Sequence, residues 1–177
     1  MHILFIILIA IAIVIALVFI LSQFMKNEHY VKSEVVIHVS ANRVYEFLRF
    51  LKNQEKFNKW AKADMDRHST TKGVDGDVGF VYAWNGDRSV GEGEKEILNL
   101  VENKKIETEI RFVRPMKTKA KVTFEMETLT NGQTKLAFIN AGNIKAPWNV
   151  LLPLFQKNFA KDMNESMQTL KGILEQQ

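Results

Sequence analysis

Apolar and polar positions divide the chain into one segment with no polar face and a longer part in which the two alternate. Residues 3–21 are 19 consecutive apolar side chains, which at about 1.5 Å per helical residue cover roughly 28 Å, the thickness of a bilayer's hydrocarbon layer. A helix buried in a small domain carries a polar stripe, and this one has none. Residues 1–25 are therefore expected to form an uncleaved transmembrane anchor. A secretory signal peptide fits less well. Only Met1 and His2 precede the run, Ala10-Ile11-Ala12 falls in its middle, and Ser22-Gln23-Phe24-Met25 offers no good cleavage site.

Residues 26–33 are polar and read as a short tether, so the folded domain is expected over residues 34–177. Val35, Ile37 and Val39 alternate with Val36 and His38, as in a strand with His38 turned outward. The period changes at Ser40, the N-cap of a helix whose buried face carries Val44, Phe47, Leu48 and Leu51. Val39 and Val44 are spaced as a hydrophobic staple. A second short helix is expected to carry Phe57 and Trp60, with Trp60 plugging one end of a sheet. Residues 64–71 suggest at most an irregular strand, and Gly73-Val74-Asp75-Gly76-Asp77 is turn chemistry.

Residues 80–84 are aromatic and β-favouring. Asn85-Gly86 then predicts a tight hairpin with both residues at positive φ, returning as a strand over residues 88–101. Ile106, Thr108, Ile110 and Phe112 alternate with Glu107, Glu109 and Arg111. Residues 117–129 repeat the pattern, with Ala120, Val122, Phe124 and Met126 against Lys119, Lys121, Glu125 and Glu127. Asn131-Gly132 leads into a last strand carrying Leu136 and Phe138. In the closing helix Phe155, Phe159, Met163, Met167, Leu170 and Leu174 share a face. It starts near Pro153, or after a short helix through residues 148–152.

This order predicts an α+β domain: a curved antiparallel sheet with one dry face, wrapped around a single long C-terminal helix. One helix covers such a face incompletely, so a concave, mostly apolar pocket is expected between them. Its candidate lining is Tyr82, Trp84, Ile110, Phe112, Val122, Phe124, Met126, Leu136 and Phe138 from the sheet, with Phe155, Phe159 and Met163 from the helix. Each is also an ordinary core residue by pattern.

Charge narrows the function classes. The 24 basic and 20 acidic side chains are interspersed, which gives nucleic-acid binding little support. Lys26 and Lys32 follow the apolar run and no Lys or Arg precedes it, so the positive-inside tendency places the domain in the cytoplasm. The chain has no cysteine, which removes disulfides, thiol nucleophiles and cysteine metal sites. Glu92, Glu94 and Glu96, Glu107 with Glu109, and Glu125 with Glu127 have the alternation of a solvated sheet face rather than of catalytic carboxylates. Asp64, Asp66 and His68 are compact but lack the ligand spacing of a metal loop. Gly86, Gly91 and Gly93 belong to hairpin geometry, and no nucleophile elbow or Ser/His/Asp set is readable. No catalytic residue, metal or cofactor is expected.

The stretch Val36-Ile37-His38-Val39-Ser40-Ala41-Asn42-Arg43-Val44-Tyr45-Glu46-Phe47-Leu48, followed by Asn58-Lys59-Trp60, resembles the opening of the SRPBCC (START/Bet v 1-like) superfamily, in its polyketide cyclase/dehydrase and lipid-transport branch. Trp84-Asn85-Gly86 leading into Val90-Gly91-Glu92-Gly93-Glu94, the Thr134 strand and Leu170-Lys171-Gly172-Ile173-Leu174 extend the resemblance over residues 33–174. It implies a helix-grip fold whose cavity holds lipids, sterols, polyketides or other hydrophobic small molecules. The matching motif is architectural and brings no catalytic set with it. The expected function is a membrane-anchored binding protein for a hydrophobic small molecule or lipid, on a tether reaching at most about 35 Å. The alternatives are a polyketide cyclase/dehydrase-like enzyme, which needs a polar group of strongly perturbed pKa in the pocket, and a protein-interaction module with a filled cavity.

Overall fold

The computed structural model describes residues 2–64 and 67–176. Helix α1 (His2–Phe24) is followed by strand β1 (Glu28–Ile37) and three short helices, α2 (Ala41–Leu48), α3 (Leu51–Gln54) and α4 (Lys59–Lys62). Strands β2 (His68–Lys72), β3 (Val81–Asn85), β4 (Glu92–Val101), β5 (Lys105–Arg114), β6 (Thr118–Thr128) and β7 (Thr134–Asn143) come next. A 3₁₀ turn (Trp148–Leu151) leads into the long helix α5 (Leu152–Glu175). The strands form one antiparallel sheet in the order β1-β7-β6-β5-β4-β3-β2, and α5 packs closest along β1.

Several local expectations hold. Ser40 has extended backbone and its Oγ accepts from the Arg43 N–H, capping α2, while Val44, Leu48 and Leu51 are buried. The short helix expected to carry Phe57 and Trp60 holds only in part: Trp60 lies within α4, but Phe57 lies in the turn between α3 and α4. Pro153 sits in the first turn of α5 behind the 3₁₀ turn, where its missing N–H costs nothing. The solid part of the core joins Ile37, Val44 and Leu48 to Phe124 and Leu136 of the sheet and to Met163, Met167, Leu170 and Leu174 of α5.

Two expectations are corrected. The tether over residues 26–33 is mostly strand: β1 begins at Glu28 and pairs with β7 along its whole length, from Glu28 opposite Asn143 to Ile37 opposite Thr134. Only Met25, Lys26 and Asn27 separate α1 from β1. The inward positions of this half are His29, Val31 and Ser33, and two polar residues on the dry face hide the period-2 signal. The second correction concerns the β3–β4 connection, which is no two-residue hairpin. Asn85 pairs with Glu92, and in the six-residue loop between them only Gly91 has positive φ. The Asp87 carboxylate accepts from the Ser89 and Val90 N–H groups and the Ser89 hydroxyl, a local Asx turn that outcompetes the tight hairpin. A side chain at Gly91 would collide with the Arg114 carbonyl.

Candidate functional site

The strand register arranges the concave face in rows. Farthest from α1, Ile37 pairs with Thr134; Val35, Leu136 and Met126 come next, followed by Ser33, Phe138, Phe124 and Ile106. The next row is Val31, Asn140, Val122, Thr108 and Ile97. All of these are buried. One step nearer α1 come His29, Gly142, Ala120, Ile110, Lys95 and Tyr82, and then Phe112, Gly93 and Trp84. Here Gly142, Ala120, Ile110, Lys95, Phe112 and Trp84 keep partial solvent exposure although they occupy inward positions.

Helix α5 shows the same gradient. Met163, Met167, Leu170 and Leu174 are buried, Phe159 is half-buried, and Phe155 is exposed. At this less buried end aromatic rings come from both the helices and the sheet. Trp60 stacks on Phe159 at 4.6 Å and Phe159 on Phe155 at 5.2 Å, while His29 meets the edge of Phe155 at 6.0 Å. On the sheet, Trp84 stands edge-to-face with Phe112 at 5.8 Å. Gly93 makes this possible, since a Cβ there would lie 2.8 Å from the Trp84 ring.

Polar groups interrupt this apolar wall in two places. Lys95 donates from Nζ to Oε1 of Gln54, whose Nε2 is held by the Leu48 carbonyl at 2.7 Å. The Lys95 ammonium also lies 6.0 Å from the Phe124 ring centroid. Burial pushes the Lys95 amine down to about 7, because the low-dielectric interior disfavours its charged form. Tyr82, directly opposite on β3, has its hydroxyl shifted upward, first by burial and then by its bond to Glu55; Glu55 also pairs with Arg67. At the other edge His29 Nε2 and Asn140 Oδ1 are 2.7 Å apart, and His29 Nδ1 is buried without a partner.

The outer face is a different environment. Arg111 donates to Glu94, Glu96 and Glu109 at 2.6, 2.7 and 3.0 Å, and Glu107, bonded to Lys121 and Asn99, is held down at about 2. The alternating carboxylates form this solvated ion-pair lattice. Two open depressions over Thr70, Ala83, Glu94 and Arg111, of about 250 and 470 Å³, also lie on this side. Among the described residues no group of three or more Asp, Glu or His side chains is placed to hold a metal; Asp66 of the Asp64, Asp66 and His68 cluster falls outside them.

No protein-family model and no curated protein matches the chain, whereas solved structures do. Norcoclaurine synthase from Thalictrum flavum, solved with dopamine and hydroxybenzaldehyde, is 12% identical with a TM-score of 0.63, over 89% of this chain and 93% of that one. Ara h 8.0201 is 14% identical at 0.61, over 85% and 99%. Aha1 from Colwellia psychrerythraea, solved as a dimer, is 18% identical at 0.56, over 83% and 96%. The chain has the Bet v 1-like helix-grip fold.

Within that helix-grip frame the twelve expected lining residues separate. Val122, Phe124, Met126, Leu136, Phe138 and Met163 lie in the buried rows or against them. Trp84, Ile110, Phe112 and Phe159 are half-buried and Phe155 is exposed, while Tyr82 is buried in a second cluster with Leu51, Phe80 and Ile97. Pattern reading missed Lys95, Gln54, His29 and Asn140. Two of them carried a signal: Lys95 shares the inward phase of Gly93 and Ile97, and Asn140 that of Leu136 and Phe138. A polar residue in the dry phase of a strand marks an interior polar site.

Proposed function

We propose that this chain binds a hydrophobic small molecule or lipid in the space between α5 and the α1-proximal rows of the sheet, and that α1 anchors it in a membrane with the domain on the cytoplasmic side. The observation that carries the reading is the change in exposure along the concave face, from solid core to inward-facing side chains that water still reaches. Such a site, apolar with a few convergent polar groups, suits an amphiphile. Its body would lie against Phe112, Trp84 and Phe159, with its polar end toward Lys95 and Gln54 or toward His29 and Asn140. The membrane part rests on a helix of 23 residues that is apolar all round and on Lys26 following it.

Ala120→Phe tests the space directly. Ala120 faces it from the loose row, so a benzyl group there fills a hollow at a cost below about 1 kcal/mol, whereas overpacking a filled core costs about 1–3 kcal/mol. The expected result is a folded, stable chain that no longer takes up a dansyl-labelled fatty acid. Strong destabilisation, or undiminished uptake, would count against the reading.

Lys95 favours a second reading, an enzyme of the cyclase/dehydrase kind. An amine that is largely neutral just above pH 7 is competent as a general base or nucleophile. The two readings separate on Lys95→Met. In a carrier the extracted ligand is chemically the same for both forms. In an enzyme the wild-type chain returns a converted product and the variant returns the precursor.

A further inference from the structure

The junction between α1 and the domain is closed by hydrogen bonds. Asn149, fully buried in the 3₁₀ turn, shares its amide protons among the Ser22 carbonyl, the Met25 carbonyl and Asn27 Oδ1 at 2.7, 3.2 and 2.9 Å. Ser22, the buried residue of the largely exposed α1, lies under this contact. The Ile144 N–H donates to the Asn27 carbonyl at 2.8 Å, one step beyond the pairing of Glu28 with Asn143. The last turn of α1 thus fixes the height of the 3₁₀ turn.

On the opposite face of that turn, Trp148, Leu151, Leu154 and Phe155 are 56, 52, 63 and 40% exposed. Their spacing places them on one stripe of the turn and the first turn of α5, with Asn149 and Leu152 buried behind. The charge around the stripe is mostly basic, with Glu28 the acidic residue at the junction. No acidic residue occurs from residue 128 to residue 161, while Lys26, Lys145, Lys157 and Lys161 are exposed near the α1 end of the domain.

We propose that this stripe docks into the interfacial layer of the leaflet from which α1 emerges, so that the aromatic end of the space between α5 and the sheet opens onto lipid. The proposal rests on the reading that α1 crosses a bilayer. Three observations select lipid as the occupant. The stripe is bolted to the end of a bilayer-length apolar helix. Trp, Leu and Phe above flanking lysines are the composition of interfacial amphipathic segments. The lysines complement anionic headgroups. Phe155 belongs both to the stripe and to the stack with Phe159, so lipid reaching the stripe reaches the mouth.

The cysteine-free full chain permits single labels. Ile11→Cys, Leu154→Cys and Lys121→Cys, each carrying an NBD fluorophore, are reconstituted in phosphatidylcholine vesicles containing phosphatidylglycerol, with lipid quenchers at headgroup or deep acyl positions and iodide in the water. Quenching of the residue 11 label by deep quenchers and of the residue 154 label by shallow ones, with iodide reaching only residue 121, supports the proposal. A deep residue 11 with residue 154 as open to iodide as residue 121 overturns the docking and leaves the anchor intact. A residue 11 label that deep quenchers do not reach overturns the anchor and the docking with it. Shielding of residue 154 from iodide without lipid quenching places it against a second copy of the chain and overturns the lipid assignment. In a separate arm, Leu151→Glu with Leu154→Glu is expected to slow uptake of a dansyl fatty acid from vesicles several-fold while leaving its binding in detergent unchanged. Equal uptake from vesicles would refute the coupling of stripe to mouth.

Discussion

The two ends of the concave face are built from the same strands, in the same alternation, and end in different states. Far from α1, Phe124 stacks on Phe138 at 4.7 Å and packs with Leu136, Met163 and Met167 in the continuous core. Near α1 the equivalent positions are Ile110, Phe112, Lys95 and Trp84, all partly exposed. α5 follows β1 closely, so on the β3–β5 side of the sheet cover comes from the short helices, as Leu51 covers Phe80, Tyr82 and Ile97. α2 closes the far end through Val44 and Leu48. A dry strand phase therefore becomes core where a second layer reaches it, and stays partly exposed where none does.

That contrast is sharpest in truncation experiments on the full chain in mild detergent, followed by denaturant unfolding. Phe124→Ala and Leu136→Ala, in the filled rows, are expected to cost about 3–5 kcal/mol each, transfer plus cavity. Phe112→Ala, beside the less filled end, is expected to cost less, about 1–2 kcal/mol, since part of its surface stays in water in the folded chain. Equal losses at the two ends would mean that both are packed alike and would erase the comparison.

A smaller effect with a pH signature comes from Lys95. Its folded-state value near 7 lies below the ordinary 10.5, so between those values the unfolded chain holds the extra proton and stability rises with pH. Below pH 7 the cost of burying the ammonium is fully present. Lys95→Met is expected to gain about 2 kcal/mol at pH 6, and the gain should shrink as pH rises from 7 toward 10.5. Thermal unfolding at pH 6 and pH 9.5 reads this directly; a gain that is constant with pH would show an amine that is never desolvated.

Much of the frame was legible because the signals were local. Residues 105–112 alternate without interruption and lie within β5, and Met163, Met167, Leu170 and Leu174 of the closing helix match its buried face. Helix α2 was marked by its Ser40 cap. The first half of β1 escaped because His29 and Ser33 occupy inward positions, where a polar residue pairs only with distant partners: Asn140 for His29 and Asn164 for Ser33. The β3–β4 loop escaped because Asp87 offers the backbone a better local bond than the hairpin would. The loose and filled ends of the site were indistinguishable in sequence, since Phe112 and Phe124 obey one rule and differ only in what α5 and α2 bring above them.

The smallest expected effect tests whether the loose end owes its shape to the charges behind it. Arg111 lies on the outer face next to Ile110 and gathers Glu94, Glu96 and Glu109 around its guanidinium, which raises its own pKa through those bonds. Arg111→Gln leaves three carboxylates facing one another, but water and salt reach them. The loss should therefore stay at or below about 1 kcal/mol at low ionic strength. In molar salt, where the screening length is about 3 Å, it should nearly vanish. Affinity for a dansyl fatty acid should not change, because the strands are held by their ladders and by the inward side chains. A large salt-independent loss, or weakened binding, would mean that the ion-pair lattice sets the spacing of β4 and β5, and that the space on the inner face is shaped from behind as well as by the path of α5.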